Sequence, residues 1–165
     1  MKTMRQFAVF ILCIQVYVSA SLAQSKMDVF SGSWLRDDVT QQGGRPLPRV
    51  TWQILFSEGM MKLMEQTPEG KVTRSIEYKL DGTETKQAKP DMIHKFAWDP
   101  AKQVIHLSDT MIGSENPPVM GLLISETWQL TDGGKVLKML RKLESTDKTI
   151  PIRLGDVSYS FHRIE

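Results

Sequence analysis

The sequence predicts an all-β domain, an antiparallel up-and-down meander of about eight to ten strands closed into a barrel. Three observations carry that expectation. Beyond residue 24 the chain is a succession of short runs in which apolar and polar residues alternate, turn signals separate those runs, and no stretch of useful length repeats its apolar residues at the helical period.

The clearest run is Leu122–Ser145, which reads as two strands joined at Gly133-Gly134. Setting Asp132 opposite Lys135 places Leu130 against Leu137, Trp128 against Met139, Glu126 against Arg141 and Ile124 against Leu143. That register gathers apolar residues on one face and leaves Ser125, Thr127, Gln129, Lys138 and Lys142 on the other. A slip of one residue would mix the faces, so the pattern itself selects the pairing. One opposite-charge pair, Glu126 and Arg141, falls in the middle of the apolar side.

The other strands follow in order. Phe30–Arg36 opens the domain, and a Gly- and Pro-rich loop, Gln41–Pro48, separates it from Arg49–Ser57, where Val50, Trp52, Ile54 and Phe56 share a face. Met60–Thr67 and Lys71–Leu80 form a hairpin about Pro68-Glu69-Gly70. With Thr67 opposite Val72, Leu63 meets Ile76, Met61 meets Tyr78, and Glu65 meets Arg74, a second acid–base pair on an apolar face. Thr83–Asp91 is polar and reads as a weak strand and loop. Met92–Trp98 turns at Asp99–Lys102 and returns as Gln103–Met111, with Phe96 opposite Ile105 and His94 opposite Leu107, so that His94 points inward and His106 outward; the alternative register keeps His106 on the apolar side. Gly113–Gly121 and Thr146–Asp156 read as loops, and Val157–Ile164 as a last strand that pairs with the first.

Residues 1–23 are set apart. Lys2 and Arg5 precede an apolar stretch, Phe7–Val18, and Ser21-Leu22-Ala23 supplies small residues for cleavage before Gln24, the form of a secretory signal peptide. Residues 24–165 are then a single domain that is periplasmic or extracellular, with no membrane-spanning segment once the signal is removed. Cys13, the sole cysteine, leaves with the signal, so no disulfide is expected. Losing Lys2 and Arg5 brings the 21 basic residues level with the 19 acidic ones. No basic stripe remains for nucleic acid.

Gly32-x-Trp34 on a first strand of such a meander resembles the opening motif of lipocalins. With Glu126-Thr127-Trp128, the Asp132-Gly133-Gly134 turn and the Arg141 strand after it, the chain is similar to small exported bacterial lipocalin-like proteins of largely unassigned function. The resemblance implies a barrel whose Trp34 plugs the closed end beneath a basic side chain, Arg163 or Arg141, and which binds a small hydrophobic or amphipathic molecule inside.

The inward polar set is Glu65, Arg74, His94, Glu126 and Arg141, with Asp109 as a further member. It reads either as buried ion pairs and a satisfied histidine that fix register, or as the lining of a ligand cavity walled by Trp52, Tyr78, Trp98 and Trp128. Arg74 and Arg141 would then face the ligand's polar end, since the guanidinium fork suits a carboxylate or phosphate. The competing class is an envelope or interaction protein with a filled barrel that works through Gln41–Pro48 and Gly113–Gly121. An enzyme is not expected. His94, Asp109 and Ser108 or Ser125 can be drawn as a hydrolytic triad, but no Gly-x-Ser-x-Gly elbow accompanies them. Glu65 and Glu126 as a glycosidase pair would each be held charged by an arginine. No cofactor is expected, and no metal, because His94, His106 and His162 lack ligand spacing.

Overall fold

A computed structural model describes residues 26–37, 49–88, 91–115, 118–119, 121–146 and 153–164. The signal-like start and the loop Gln41–Pro48 lie outside them. The strands are β1 Gly32–Arg36, β2 Thr51–Ser57, β3 Met60–Gln66, β4 Val72–Lys79, β5 Thr85–Ala88, β6 Asp91–Asp99, β7 Val104–Met111, β8 Ser114–Glu115, β9 Pro118–Val119, β10 Leu122–Thr131, β11 Val136–Ser145 and β12 Arg153–Ile164. Ten of them make one antiparallel sheet in the order β4-β3-β2-β1-β12-β11-β10-β7-β6-β5, wrapped into a nearly closed barrel. The short β8 and β9 pair with each other within the stretch read as a loop from the sequence.

Alternation decides which side chains fill the interior. Trp52 and Ile54, Met61 and Leu63, Ile76 and Tyr78, Ile105 and Leu107, and Leu137 and Met139 are all buried, while the residues between them are at least partly exposed. Each large apolar side chain so buried contributes about 1.5–3 kcal/mol. The β10–β11 register is the expected one throughout, Glu126 opposite Arg141 included. Its turn is a tight 3-10 turn in which Asp132, Gly133 and Gly134 all take positive φ (51°, 61° and 87°), which is why two glycines stand there.

Four expectations are corrected. In the β3–β4 hairpin Leu63–Ile76, Met61–Tyr78 and Glu65–Arg74 hold, but Gln66, not Thr67, faces Val72. Thr73 bulges out there, its hydroxyl donating to the Glu65 carbonyl and to Glu65 Oε1. In the β6–β7 hairpin the register is displaced by two: Phe96 faces Leu107, and His94 faces Asp109. Asp99 Oδ1 accepts from the amides of Ala101 and Lys102, and Gln103 takes φ 54°, so the turn closes one residue later than its composition suggests. An even displacement keeps the faces, so His94 is inside and His106 outside. Phe30 belongs to a 3-10 turn, Asp28–Phe30, rather than to β1. The last strand begins at Arg153, not Val157, because a bulge between Lys142 and Glu144 lets β11 keep pairing as far as Glu144–Arg153.

β12 pairs with β1, as anticipated. The ladder instead stops between β4 and β5, neighbours in sequence. Asp81 Oδ1 binds both the amide and the hydroxyl of Thr83, and the turn it caps delivers β5 to β6 rather than back along β4. Side chains bridge this seam.

At one end, where β1 begins, the barrel is plugged. The Trp34 ring is fully buried, its Nε1 donates to the Phe30 carbonyl, and the Arg163 guanidinium lies 4.3 Å from its centroid while donating to the carbonyls of Ser31, Val29 and Gly134. Gly32 is required beside it: its φ is +125°, and a Cβ there would come within 3.0 Å of Arg163 Nη1.

Candidate functional site

The inward positions change character along the barrel. Toward the Trp34 end they are apolar, with Ile54, Met61, Phe96, Ile105, Leu137 and Phe161 buried and Phe56, Leu80, Trp98 and Leu130 packed against them half-buried. Above that floor lies a polar layer, and beyond it the inward residues Met92, Met111, Ile124, Leu143 and Val157 are only half-buried.

The floor is a cluster of rings. Trp52 stacks against Phe161 (centroids 4.3 Å, planes 30° apart) and Trp128 (5.3 Å, 34°), each at most 2% exposed. Both indoles hold a carboxylate from below: Trp128 Nε1 donates to Glu126 Oε2 at 2.9 Å, and Trp52 Nε1 to Glu65 Oε2 at 3.1 Å. Glu126 Oε1 in turn accepts from Arg141 Nε at 2.9 Å and Nη2 at 2.6 Å. Burial works against the Arg141 cation, yet Glu126, aided by Tyr159 and Glu65, outweighs it and holds the pKa above the usual arginine value.

The second acid–base pair is not the one read from the sequence. Glu65 and Arg74 are opposite in register, but Arg74 Nη2 reaches across the seam to Asp109 Oδ2 at 2.8 Å, leaving Glu65 to Trp52 and Thr73. Asp109, 2% exposed, is a hub: its Oδ1 also accepts from the Tyr78 hydroxyl and from His94 Nδ1, both at 2.9 Å. A carboxylate can only accept, so His94 carries a proton on Nδ1; its Nε2 faces the Gln87 amide at 3.2 Å. Four strands, β4, β5, β6 and β7, are thereby tied where no backbone ladder joins β4 to β5. The register displacement in β6–β7 creates this hub, which the expected pairing of His94 with Leu107 would not.

Of the residues singled out from the sequence, Glu65, Arg74, His94, Tyr78, Glu126 and Arg141 contribute to this polar layer, and Trp52 and Trp128 lie directly beneath it. Trp98 does not join them: it packs edge-on against Phe30 at 6.0 Å, by the plugged end. The hydrolytic triad is not assembled, because Ser108 and Ser125 face each other in register on the outer surface while Asp109 and His94 lie within. Among the described residues no three His, Cys, Asp or Glu side chains converge on a point that could hold a metal ion.

Arg36 and Tyr159 were missed. The Tyr159 ring has the Arg141 guanidinium 5.4 Å from its centroid and that of Arg36 at 5.7 Å. Strand parity held the signal for both: Arg36 is two residues beyond Trp34, and Tyr159 two before Phe161.

No family model matches the chain, and neither does any curated protein. Among solved structures, one described as a REP1-NXSQ fatty acid transporter aligns over 82% of this chain and 96% of its own, with 12% identity and a TM-score of 0.48. So slight a likeness carries no argument, and the fold rests on the strand pairings themselves.

Proposed function

We propose that the protein is an exported, lipocalin-like carrier of a small hydrophobic or amphipathic molecule, held in the half of the barrel away from Trp34 with its polar end at the Arg141 layer. The observation that carries this reading is the apolar lining beyond the polar layer: Met92, Met111, Ile124, Leu143 and Val157 face inward by strand parity, yet each is only half-buried. A hydrophobic ligand would cover such a lining. The polar layer beneath would orient such a ligand. Arg74, half-exposed but committed to Asp109, serves the seam first and the ligand second.

The test is native mass spectrometry of protein purified from its own host, with release and analysis of any bound small molecule, followed by tryptophan fluorescence against fatty acids and other apolar probes. Mass added to the folded protein and lost on denaturation is expected. A bare protein with no fluorescence response to the whole panel would overturn carriage.

A further inference from the structure

Every turn that joins two strands at the Trp34 end of the barrel, residues 58–59, 80–84, 100–103 and 132–135, lies among the described residues. An open cleft of about 630 Å³ is set into that end. Val29, Leu130 and the Gly133-Gly134 turn form its walls, and Lys135 and Arg163 are its charged residues. The two cations are cross-strand partners: the Arg163 amide donates to the Lys135 carbonyl at 2.9 Å, which continues the β11–β12 register by one residue. Like charges directly opposite one another in an antiparallel pair repel.

No acid relieves that repulsion. The Arg163 guanidinium uses three of its five N–H groups on the carbonyls of Gly134, Ser31 and Val29, neutral acceptors that leave its charge uncompensated. Among the described residues neither Lys135 nor Arg163 makes an ion pair with a carboxylate, those of the neighbouring Asp28 and Asp132 included. The glycine wall is bare, since a Cβ at Gly133 or Gly134 would meet nothing within 4 Å. The opposite wall is apolar and open, with Val29 50% exposed.

We propose that this cleft binds a phosphate monoester, Lys135 and Arg163 donating to its oxygens while its organic group lies on Val29 and Leu130. The charge decides the class: a phosphate monoester carries about −1.5 to −2 at neutral pH and matches both cations, whereas a carboxylate neutralises one. The same chemistry comes from a soluble phosphorylated molecule or from the head group of phosphatidic acid. The site lies outside the barrel interior and stands or falls apart from the carrier reading.

The test is isothermal titration calorimetry of the wild type at neutral pH and low salt with glycerol 3-phosphate, glycerate and glycerol. It is paired with sedimentation on phosphatidylcholine vesicles with and without phosphatidic acid. Glycerol 3-phosphate is expected to bind about tenfold or more tighter than glycerate, and glycerol not at all. Sedimentation that needs phosphatidic acid, without binding of glycerol 3-phosphate, supports the site and assigns it to a lipid surface. Lys135→Gln should weaken phosphate binding about tenfold, and Lys135→Glu, which gives Arg163 an acid of its own, should abolish it. Lys135 is exposed and touches neither Trp34 nor the core, so both variants keep the fold. Lys138→Gln, on the outer face of the same strand, should change binding by about twofold or less. No binding of glycerol 3-phosphate up to about 10 mM together with no sedimentation on phosphatidic acid overturns the proposal. So does glycerate binding as tight as that of glycerol 3-phosphate, unchanged binding in Lys135→Glu, or an equal loss in Lys138→Gln.

Discussion

Arg74 Nη2 lies 2.8 Å from Asp109 Oδ2, thirty-five residues along the chain and across the interval where β4 and β5 share no ladder. The seam is therefore closed by side chains, and Asp109, which also binds Tyr78 and His94, is the shared acceptor. Asp109→Asn keeps the size but removes the charge and puts a donor where a donor already points. It should cost about 2–4 kcal/mol in urea denaturation. Arg74→Ala should cost less, about 1 kcal/mol, because that side chain is 31% exposed and water reaches it. The reverse order would mean that Asp109 is not the hub.

Tyr78 makes stability depend on pH at the alkaline end. Burial first, then Asp109 and Glu126, raise its hydroxyl pKa well above the usual tyrosine value, against a smaller pull from Arg74. The native protein keeps a proton that the unfolded chain surrenders near about pH 10. With the folded pKa raised, the contribution is complete below about pH 10 and is lost as pH climbs through and beyond it. The urea midpoint of the wild type should fall between about pH 9.5 and 11, and fall less steeply in Tyr78→Phe. Equal slopes would remove Tyr78 as the cause.

How far the sequence reached can be read from these residues. Parity along a strand is a local property, so the inward placement of Trp52, Tyr78, His94, Glu126 and Arg141 was legible, as was the β10–β11 register, which one turn and two alternating faces determine. Arg74 shows the limit. Its cross-strand neighbour Glu65 was correctly named, but its ion-pair partner lies on β7, and which carboxylate wins depends on how the sheet curls and where its ladder stops. The β6–β7 register escaped for a related reason: displacements of two preserve the faces, so only the Asp99-capped turn and the positive φ of Gln103 distinguish them. Tyr159 and Arg36 meet around the β1–β12 junction, a contact between the two ends of the chain that no local pattern announces.

Gly32 tests the plug. At φ +125°, with Arg163 Nη1 3.0 Å from where a Cβ would stand, Gly32→Ala brings both backbone strain and a displaced guanidinium. A loss of about 1–3 kcal/mol is expected by thermal or urea denaturation. The double variant Gly32→Ala with Arg163→Ala removes the clash but not the strain, so it should lose less than the sum of the two single variants. Strict additivity would show that the glycine is needed for its backbone alone.

The tryptophans report where a ligand sits, since the chain has four and they divide into two sets. Trp52 and Trp128 form the floor beneath Glu65 and Glu126, whereas Trp34 and Trp98 belong to the plugged end. On the proposed carrier reading, a ligand with its polar end at the Arg141 layer rests above the first set with its tail leading away. Bromine quenches indole emission only at contact, so 2-bromohexadecanoic acid, with its bromine next to the carboxyl, should quench the wild type more than 16-bromohexadecanoic acid, whose bromine lies at the far end of the tail. Trp98→Phe should keep that difference and Trp52→Phe should lose much of it. The opposite ranking of the two acids would turn the ligand end for end and place its head at the rim.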